Sequence, residues 1–222
     1  MVEWLRSSFS DRRIAVIGSL AVLSLFTLAM LAFRVAYTRT GDHTWIAWNL
    51  VLAWVPFLLA LLIYARAPSA SRVQLAALGA LWLLFFPNAP YIVTDLKHIG
   101  VDSGVPILYD VLLLSAAAWT GLLLGLTSLF LIHAVARRLL GASNSWALVV
   151  GVLAFSSFGI YLGRVQRWNS WDVFVRPGAL VGQLGEGLHA RPIALTVLLT
   201  SFLLASYLVF YSFARLSSLV KE

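Results

Sequence analysis

Residues 45–64 of the chain read WIAWNLVLAWVPFLLALLIY, a run of twenty residues without a charged side chain. An α-helix of this length rises about 30 Å, which matches the hydrocarbon thickness of a typical bilayer. The run Trp45–Tyr64 therefore predicts a membrane-spanning helix. Five further uncharged stretches of similar length predict five more spans: Ile14–Phe33, Val73–Thr94, Val111–Ile132, Trp146–Leu162 and Ile193–Phe213.

The composition agrees with a membrane protein. The 222 residues are 61% hydrophobic and only 11% charged, with a mean hydropathy of +0.90, whereas soluble domains are about half apolar and a quarter charged. This composition excludes a soluble enzyme and a disordered protein. Continuous spans also exclude an outer-membrane barrel, whose strands are alternating segments of about ten residues. The predicted fold class is an all-α integral membrane bundle of about six transmembrane helices.

The even number of spans places both termini on one side of the membrane. The termini and two loops carry nine basic residues, and the opposite side carries seven. Because cytoplasmic loops are enriched in Lys and Arg, both termini are predicted to be cytoplasmic. The net charge of +7 is spread over helix ends, so nucleic acid is not an expected partner. Residues 1–222 are interpreted as one polytopic transmembrane domain, with a motif-bearing core at about 51–213.

The third span contains two prolines, Pro87 and Pro90. Each lacks a backbone N–H and clashes with the preceding turn, so the third helix is predicted to be broken at the Pro-Asn-Ala-Pro motif. The carbonyls of Leu83 and Phe86 lose their helical donors, and lipid supplies no replacement. Asn88 is therefore expected to be buried and hydrogen-bonded. The break either packs against neighbouring helices or shapes a binding cavity.

Polar residues flank the exit of the third span, the entry of the fourth and the exit of the fifth, which all lie at one membrane face. Residues at the same membrane level can converge, and the arginines can either pair with carboxylates or hold a ligand. Two tryptophans here are also typical interfacial anchors. The predicted ligand-binding residues are Asn88, Tyr91, Asp95, His98, Asp110, Arg164, Arg167, Trp168, Asn169 and Asp172.

The same residues raise the question of a metal or a catalytic group. Asp95 and His98, three residues apart, are usable metal ligands, and Asp110, Asp172 or His43 could complete the set. Nearby arginines would compete for these carboxylates. The chain lacks cysteine, which excludes disulfides, thiolate metal sites and Cys nucleophiles, and it lacks the common catalytic motifs. No cofactor is indicated, and Asp95 and His98 are the catalytic candidates.

Two helices carry glycine pairs spaced four apart, Gly121/Gly125 and Gly159/Gly163. Small residues at this spacing let helix backbones approach closely in lipid. The pairs indicate either tight packing within the bundle or a homodimer face.

The motifs around these residues resemble those of a known family. They are Phe86–His98 (FPNAPYIVTDLKH), Tyr109-Asp110, and Gly159–Asp172 (GIYLGRVQRWNSWD). They resemble an uncharacterised family of bacterial polytopic membrane proteins, domain of unknown function 1361, over about Val51 to Phe213. The resemblance implies a bacterial inner-membrane location and brings no established activity.

Three functional hypotheses follow. The first is a non-catalytic protein that binds an anionic ligand, a lipid headgroup or a partner subunit through Arg164, Arg167, Asn88 and the tryptophans. The second is an enzyme acting on a lipid-linked substrate, with Asp95 or His98 as the acid–base group. The third is a proton-coupled transporter, which the lack of internal repeats and of charges within the predicted spans disfavours. A homo-oligomer also fits the sequence.

Overall fold

The computed structural model describes the backbone of residues 2–100, 104–165 and 190–219, and the side chains of residues 13–100, 104–164 and 193–216. This part of the chain is helical and contains no β-strand, which confirms the predicted all-α class. The elements are α1 (Val2–Thr38), α2 (Trp45–Arg66), α3 (Arg72–Phe85), α4 (Asn88–Tyr91), a 3₁₀ segment (Ile92–His98), α5 (Ile107–Leu140), α6 (Ala142–Val165) and α7 (Ala190–Leu219).

Six spans in the described ranges are long and apolar enough to cross a membrane, as the sequence predicted. They are Arg13–Thr38, Trp45–Arg66, Arg72–His98, Ile107–Leu140, Ala142–Arg164 and Ile193–Leu216. The chain is therefore a multi-pass membrane protein whose surroundings are the lipid bilayer.

The expectation that no charge lies within a span is wrong. Arg34, Asp95 and Asp110 all lie inside helical spans and are buried. Each predicted span was ended at the first charged residue. A membrane span can nevertheless include a charged side chain when an opposite charge pairs with it inside the bundle. The argument against a transporter from uncharged spans is thereby removed.

Helix α5 runs through the centre of the bundle, where side chains along most of its length are buried. Apolar side chains of α2 and α3 pack against it, and polar groups add cross-links between the helices. Trp82 on α3 donates to the hydroxyl of Ser128 on α5 (2.8 Å), which in turn donates to the carbonyl of Pro56 on α2 (3.0 Å). Hydrogen bonds of this kind stabilise helix association in lipid, where apolar burial alone cannot.

The break in the third span changes the hydrogen bonding while the backbone dihedrals stay helical. Asn88 donates to the carbonyl of Phe85 (3.0 Å), and Ala89 N donates to the carbonyl of Phe86 (3.2 Å). The amide of Asn88 therefore serves Phe85 instead of Leu83 or Phe86, the two carbonyls that were expected to lack donors. The reason is that the chain tightens into a three-residue hydrogen-bond spacing, which supplies Phe86 from its own backbone. Asn88 is hydrogen-bonded as expected, but it is half-buried and not fully buried.

Glycines on α5 and α6 face this break. A methyl group at Gly121 would lie 2.6 Å from the carbonyl oxygen of Ala89, and one at Gly159 would lie 3.3 Å from Cγ of Pro87. Gly125 also faces Ala89, where a methyl group would be in ordinary contact at 3.4 Å. These three glycines therefore let the broken segment pack closely inside the bundle, which is the first of the two roles that the sequence left open.

Candidate functional site

Arg164, in the last turn of α6, is joined to the end of the third span. Its Nη2 contacts Oδ1 of Asp95, and its Nε and Nη2 donate to the hydroxyl of Thr94 at 2.8 and 2.6 Å. Asn49 donates to the other carboxylate oxygen of Asp95 at 3.0 Å. The guanidinium lies over the ring of Tyr91, 4.2 Å from its centroid. We call these five residues the Arg164 cluster.

The Arg164 cluster is largely withdrawn from solvent. Asp95 is 1% exposed, and the side chain of Arg164 is 17% exposed. Because both carboxylate oxygens of Asp95 accept hydrogen bonds, its negative charge is compensated within the protein. Any polar ligand here would meet the outer edge of Arg164, whose Nη1 is not engaged by another described residue.

Asp110 belongs to a second ion pair. Its Oδ1 accepts from Nε of Arg34 on α1 at 2.9 Å, and both side chains are fully buried. Within the described ranges its Oδ2 has no hydrogen-bond partner. The sequence counted Arg34 among the basic residues beyond the first span and grouped Asp110 with Asp95 and Arg164, so it did not predict this pairing. Membrane level follows from span parity, but parity does not say which helices face each other.

Two histidines contact one indole ring in the same region. The ring of Trp45 lies 5.8 Å from that of His43 and 5.0 Å from that of His98, centroid to centroid. His98 Nδ1 lies 3.2 Å from the backbone oxygen of Asp95. These contacts show that His98, which the sequence selected, adjoins the Arg164 cluster through the backbone of Asp95.

His43 is a residue whose importance the sequence understated, since it entered only as an alternative metal ligand. It is 6% exposed and adopts a left-handed backbone (φ 68°), which is uncommon for a residue other than glycine. Neither ring nitrogen makes a hydrogen bond of normal geometry to another described residue, although the backbone of His98 is a near neighbour. Burial lowers the pKa of His43, and the positive charge of Arg34 lowers it further. The ring is therefore expected to be neutral at physiological pH.

The remaining predicted site residues divide into two groups. Asn88 bonds to the break, as described above, and no group of three or more His, Asp or Glu residues suited to a metal ion occurs in the described part of the chain. The other four predicted residues lie outside the described side chains: Arg167, Trp168, Asn169 and Asp172. The prediction that Asp172 could join a metal site therefore also falls outside the described residues.

A cavity of about 460 Å³ opens beside the Arg164 cluster, between α6, α7 and the 3₁₀ segment. Almost all of the surface that its walls present is apolar, with contributions from Ile160, Leu198 and Phe202. Along α6 the lining extends from Ser157 to Arg164, about two helical turns, so the cavity is elongated along this helix and has Arg164 at one end. Ligand sites have this size range and are predominantly apolar.

A family model described as "Protein of unknown function (DUF1361)" matches residues 48–206. The chain belongs to the DUF1361 family. The resemblance seen in the sequence motifs is therefore confirmed. No curated protein and no solved structure matches the chain.

The DUF1361 match includes the whole Arg164 cluster, the cavity and Asp110. It begins after Arg34 and His43 in the chain. The site next to the cavity is thus built from the family domain alone, whereas the second ion pair joins that domain to α1.

Proposed function

We propose that this DUF1361 protein binds an anionic amphiphile, such as a phospholipid, with its acyl chain in the cavity between α6 and α7 and its headgroup at Arg164. The observation that supports this function is an apolar cavity whose lining ends at Arg164 on α6. A lipid has the same division into a long apolar part and a charged end.

The walls of the cavity favour a ligand that enters from the bilayer. Leu195 and Leu198 on α7 are 51% and 68% exposed and line the cavity. Since these exposed leucines face hydrocarbon in a membrane, the open side of the cavity adjoins the acyl chains of the lipids. An acyl chain can therefore reach the cavity without crossing water.

The polar end favours an anionic headgroup. Arg164 keeps its outer edge available while Asp95 and Thr94 hold its inner edge. Arg167 follows three residues later in the sequence and is proposed to supply the second guanidinium, with Trp168 and Asn169 next in the chain. Paired guanidinium groups bind phosphate with planar, two-point hydrogen bonds.

The two alternative classes have less support from the geometry. An enzyme with Asp95 as general base has less support because Arg164 and Asn49 already hydrogen-bond the carboxylate and stabilise its ionised form. In a proton relay through Asp95, His98 and Asp110, both carboxylates are likewise stabilised in the ionised form by an arginine. A partner subunit or a homo-oligomer would use the exposed outer face instead of the cavity.

Filling the cavity tests the proposal. Leu198→Trp places a larger ring in the cavity wall and is expected to reduce the fraction of purified protein that carries a phospholipid at least about fivefold, because the ring occupies the space of the acyl chain. Native mass spectrometry of the full chain in a mild detergent measures this fraction.

Val197→Trp is the matched control, since Val197 adjoins Leu198 on the same helix, is 59% exposed and does not line the cavity. This variant is expected to carry as much lipid as the wild type. A wild-type protein without bound lipid, or equal lipid on both variants, would contradict the proposal.

The proposal places the Arg164 cluster at the outer face of the bacterial inner membrane, with both termini in the cytoplasm. At the end of the bundle that carries the Arg164 cluster, two of the described basic residues, Arg34 and Arg164, are neutralised by carboxylates. The opposite end carries six described arginines, which favours the cytoplasmic side for that end. These are Arg13, Arg66, Arg72, Arg137, Arg138 and Arg215.

Cysteine labelling checks this orientation in a chain that has no native cysteine. Thr40→Cys is expected to react with a membrane-impermeant thiol reagent in intact cells, whereas Ser69→Cys is expected to react only after lysis. Both positions are exposed and lie in loops on opposite sides of the membrane. The reverse pattern would invert the topology while leaving the helix packing unchanged.

A further inference from the structure

Ser157 on α6 carries a buried hydroxyl group that has no hydrogen-bond partner in the described part of the chain. The residue is 0% exposed, and its Oγ bonds to no other described residue. Serine and threonine hydroxyls inside a helix can donate to the carbonyl four residues earlier. Thr120 on α5 and Thr200 on α7 do so, at 2.7 Å in both cases. Because Ser157 lacks this bond, its desolvation is not compensated by the surrounding protein.

The position of Ser157 distinguishes it from the other buried hydroxyls that have no described partner. These are the hydroxyls of Ser156 and Thr196. Ser157 lines the cavity between α6 and α7, whereas Ser156 and Thr196 do not. A hydroxyl that needs a partner therefore lies beside a space that is large enough to hold a ligand.

Ser157 and Arg164 lie at different depths along the same wall of the cavity. They are seven residues apart and both line it, as expected for positions that share one face of a helix. Their separation corresponds to a rise of about 10 Å along α6. A ligand that extends from Arg164 along α6 into the cavity therefore passes Ser157 in the apolar part.

The hydroxyl of Ser157 can turn towards such a ligand without losing a hydrogen bond. The walls of the cavity present almost no polar surface, so the Oγ atom is recessed behind apolar atoms. A serine side chain has three staggered positions about its Cα–Cβ bond. Since the Oγ atom has no described partner to give up, a hydrogen-bond acceptor on the ligand would add one bond and break none.

We propose that Ser157 donates a hydrogen bond to an ester carbonyl of the bound lipid, so that the cavity selects acyl-ester lipids over ether-linked lipids. This inference rests on the proposed function, because it takes the headgroup to be at Arg164. The ester carbonyls of a phospholipid lie between its phosphate and its hydrocarbon chains, so they enter the apolar part of the cavity when the phosphate is at Arg164. A carbonyl oxygen accepts hydrogen bonds and carries no proton, which matches a hydroxyl whose own proton has no acceptor.

A competition between two lipids tests this role of Ser157. Diester and diether phosphatidylglycerol of equal chain length share the headgroup, the glycerol and the hydrocarbon, and differ in the two carbonyl groups. The full chain in a mild detergent is incubated with an equimolar mixture, and native mass spectrometry measures the ratio of the two bound lipids. The wild type is expected to carry an excess of the diester of about two- to tenfold, which corresponds to one net hydrogen bond. Ser157→Ala is expected to carry the two lipids equally.

Ser156→Ala is the matched control and is expected to keep the wild-type ratio. Both serines are 0% exposed and have no described hydrogen-bond partner, but only Ser157 lines the cavity. Since neither substitution removes a described hydrogen bond, both variants are expected to fold, and their melting temperatures in detergent check this.

Three results would overturn the role of Ser157 while leaving the proposed lipid site in place. They are equal loading of the two lipids on the wild type, an unchanged diester excess in Ser157→Ala, and the same loss of preference in Ser156→Ala. A wild-type protein that binds neither lipid would overturn both this role and the proposed function.

Discussion

Replacing Arg34 with methionine is expected to lower the free energy of unfolding by about 3–5 kcal/mol, the usual cost of removing one partner from a buried ion pair. Asp110 would remain fully buried without its counter-charge. Its second oxygen already has no described hydrogen-bond partner that could stabilise the negative charge. Equilibrium unfolding in mixed micelles with increasing sodium dodecyl sulfate measures this loss. The complementary variant, Asp110→Leu, is expected to cost a similar amount because it removes the carboxylate that neutralises the buried charge of Arg34.

The double variant Arg34→Met/Asp110→Leu isolates the electrostatic part of this effect. Removing both charges leaves an apolar contact, so the double variant is expected to recover most of the stability that either single variant loses. Arg66→Met, at an exposed helix end, is the control and is expected to change stability by less than about 0.5 kcal/mol. If the two single losses simply add in the double variant, the side chains contribute through packing and not as a pair.

Adding one methyl group at Gly121 is the second large effect. Gly121→Ala is expected to lower the free energy of unfolding by about 1–3 kcal/mol, because the new atom meets the carbonyl oxygen of Ala89 and the side chain of Ile92 closer than atoms pack in proteins. The closest of these atoms, the carbonyl oxygen of Ala89, belongs to a backbone already tightened by the proline break, so it cannot move aside as a flexible side chain could. The same unfolding experiment measures it.

Gly151→Ala is the control that separates the cost of the steric contact from the effect of alanine on helix propensity. No atom lies within 4 Å of a methyl group at Gly151 on α6, so this variant is expected to gain up to about 1 kcal/mol from the higher helix propensity of alanine. The two substitutions are chemically identical and are expected to have opposite effects. Stabilisation by both would mean that α4 does not lie against α5 as described.

The features set by local chemistry could be predicted from the sequence. Six spans follow from uncharged runs of about twenty residues, and the interruption of the third follows from Pro87 and Pro90 lacking backbone donors. The contact of Arg164 with Asp95 was among the expected alternatives, because the two residues leave the membrane on the same side.

The features that depend on how each helix is rotated about its axis, and on which helices it contacts, could not be predicted. Arg34 and Asp110 are 76 residues apart, and only the packing of α1 on α5 shows that they meet. Asn49 looked like a minor polar residue within an apolar run, yet it completes the hydrogen bonding of Asp95. The cavity beside Arg164 depends on the spacing between α6 and α7, which leaves no trace in the hydropathy pattern.

The pairing of Arg34 with Asp110 also orders events during synthesis. Helix α1 leaves the ribosome with Arg34 long before its partner exists, and at about 5–20 residues per second the separation of 76 positions takes roughly 4 to 15 s to synthesise. In that interval the long side chain of Arg34 can keep its charge at the headgroup level, since Arg34 lies within two turns of the helix end. Entry of α5 then supplies the carboxylate that lets α1 settle to its final depth. The last step in placing the first helix therefore waits for the helix that enters the membrane fourth.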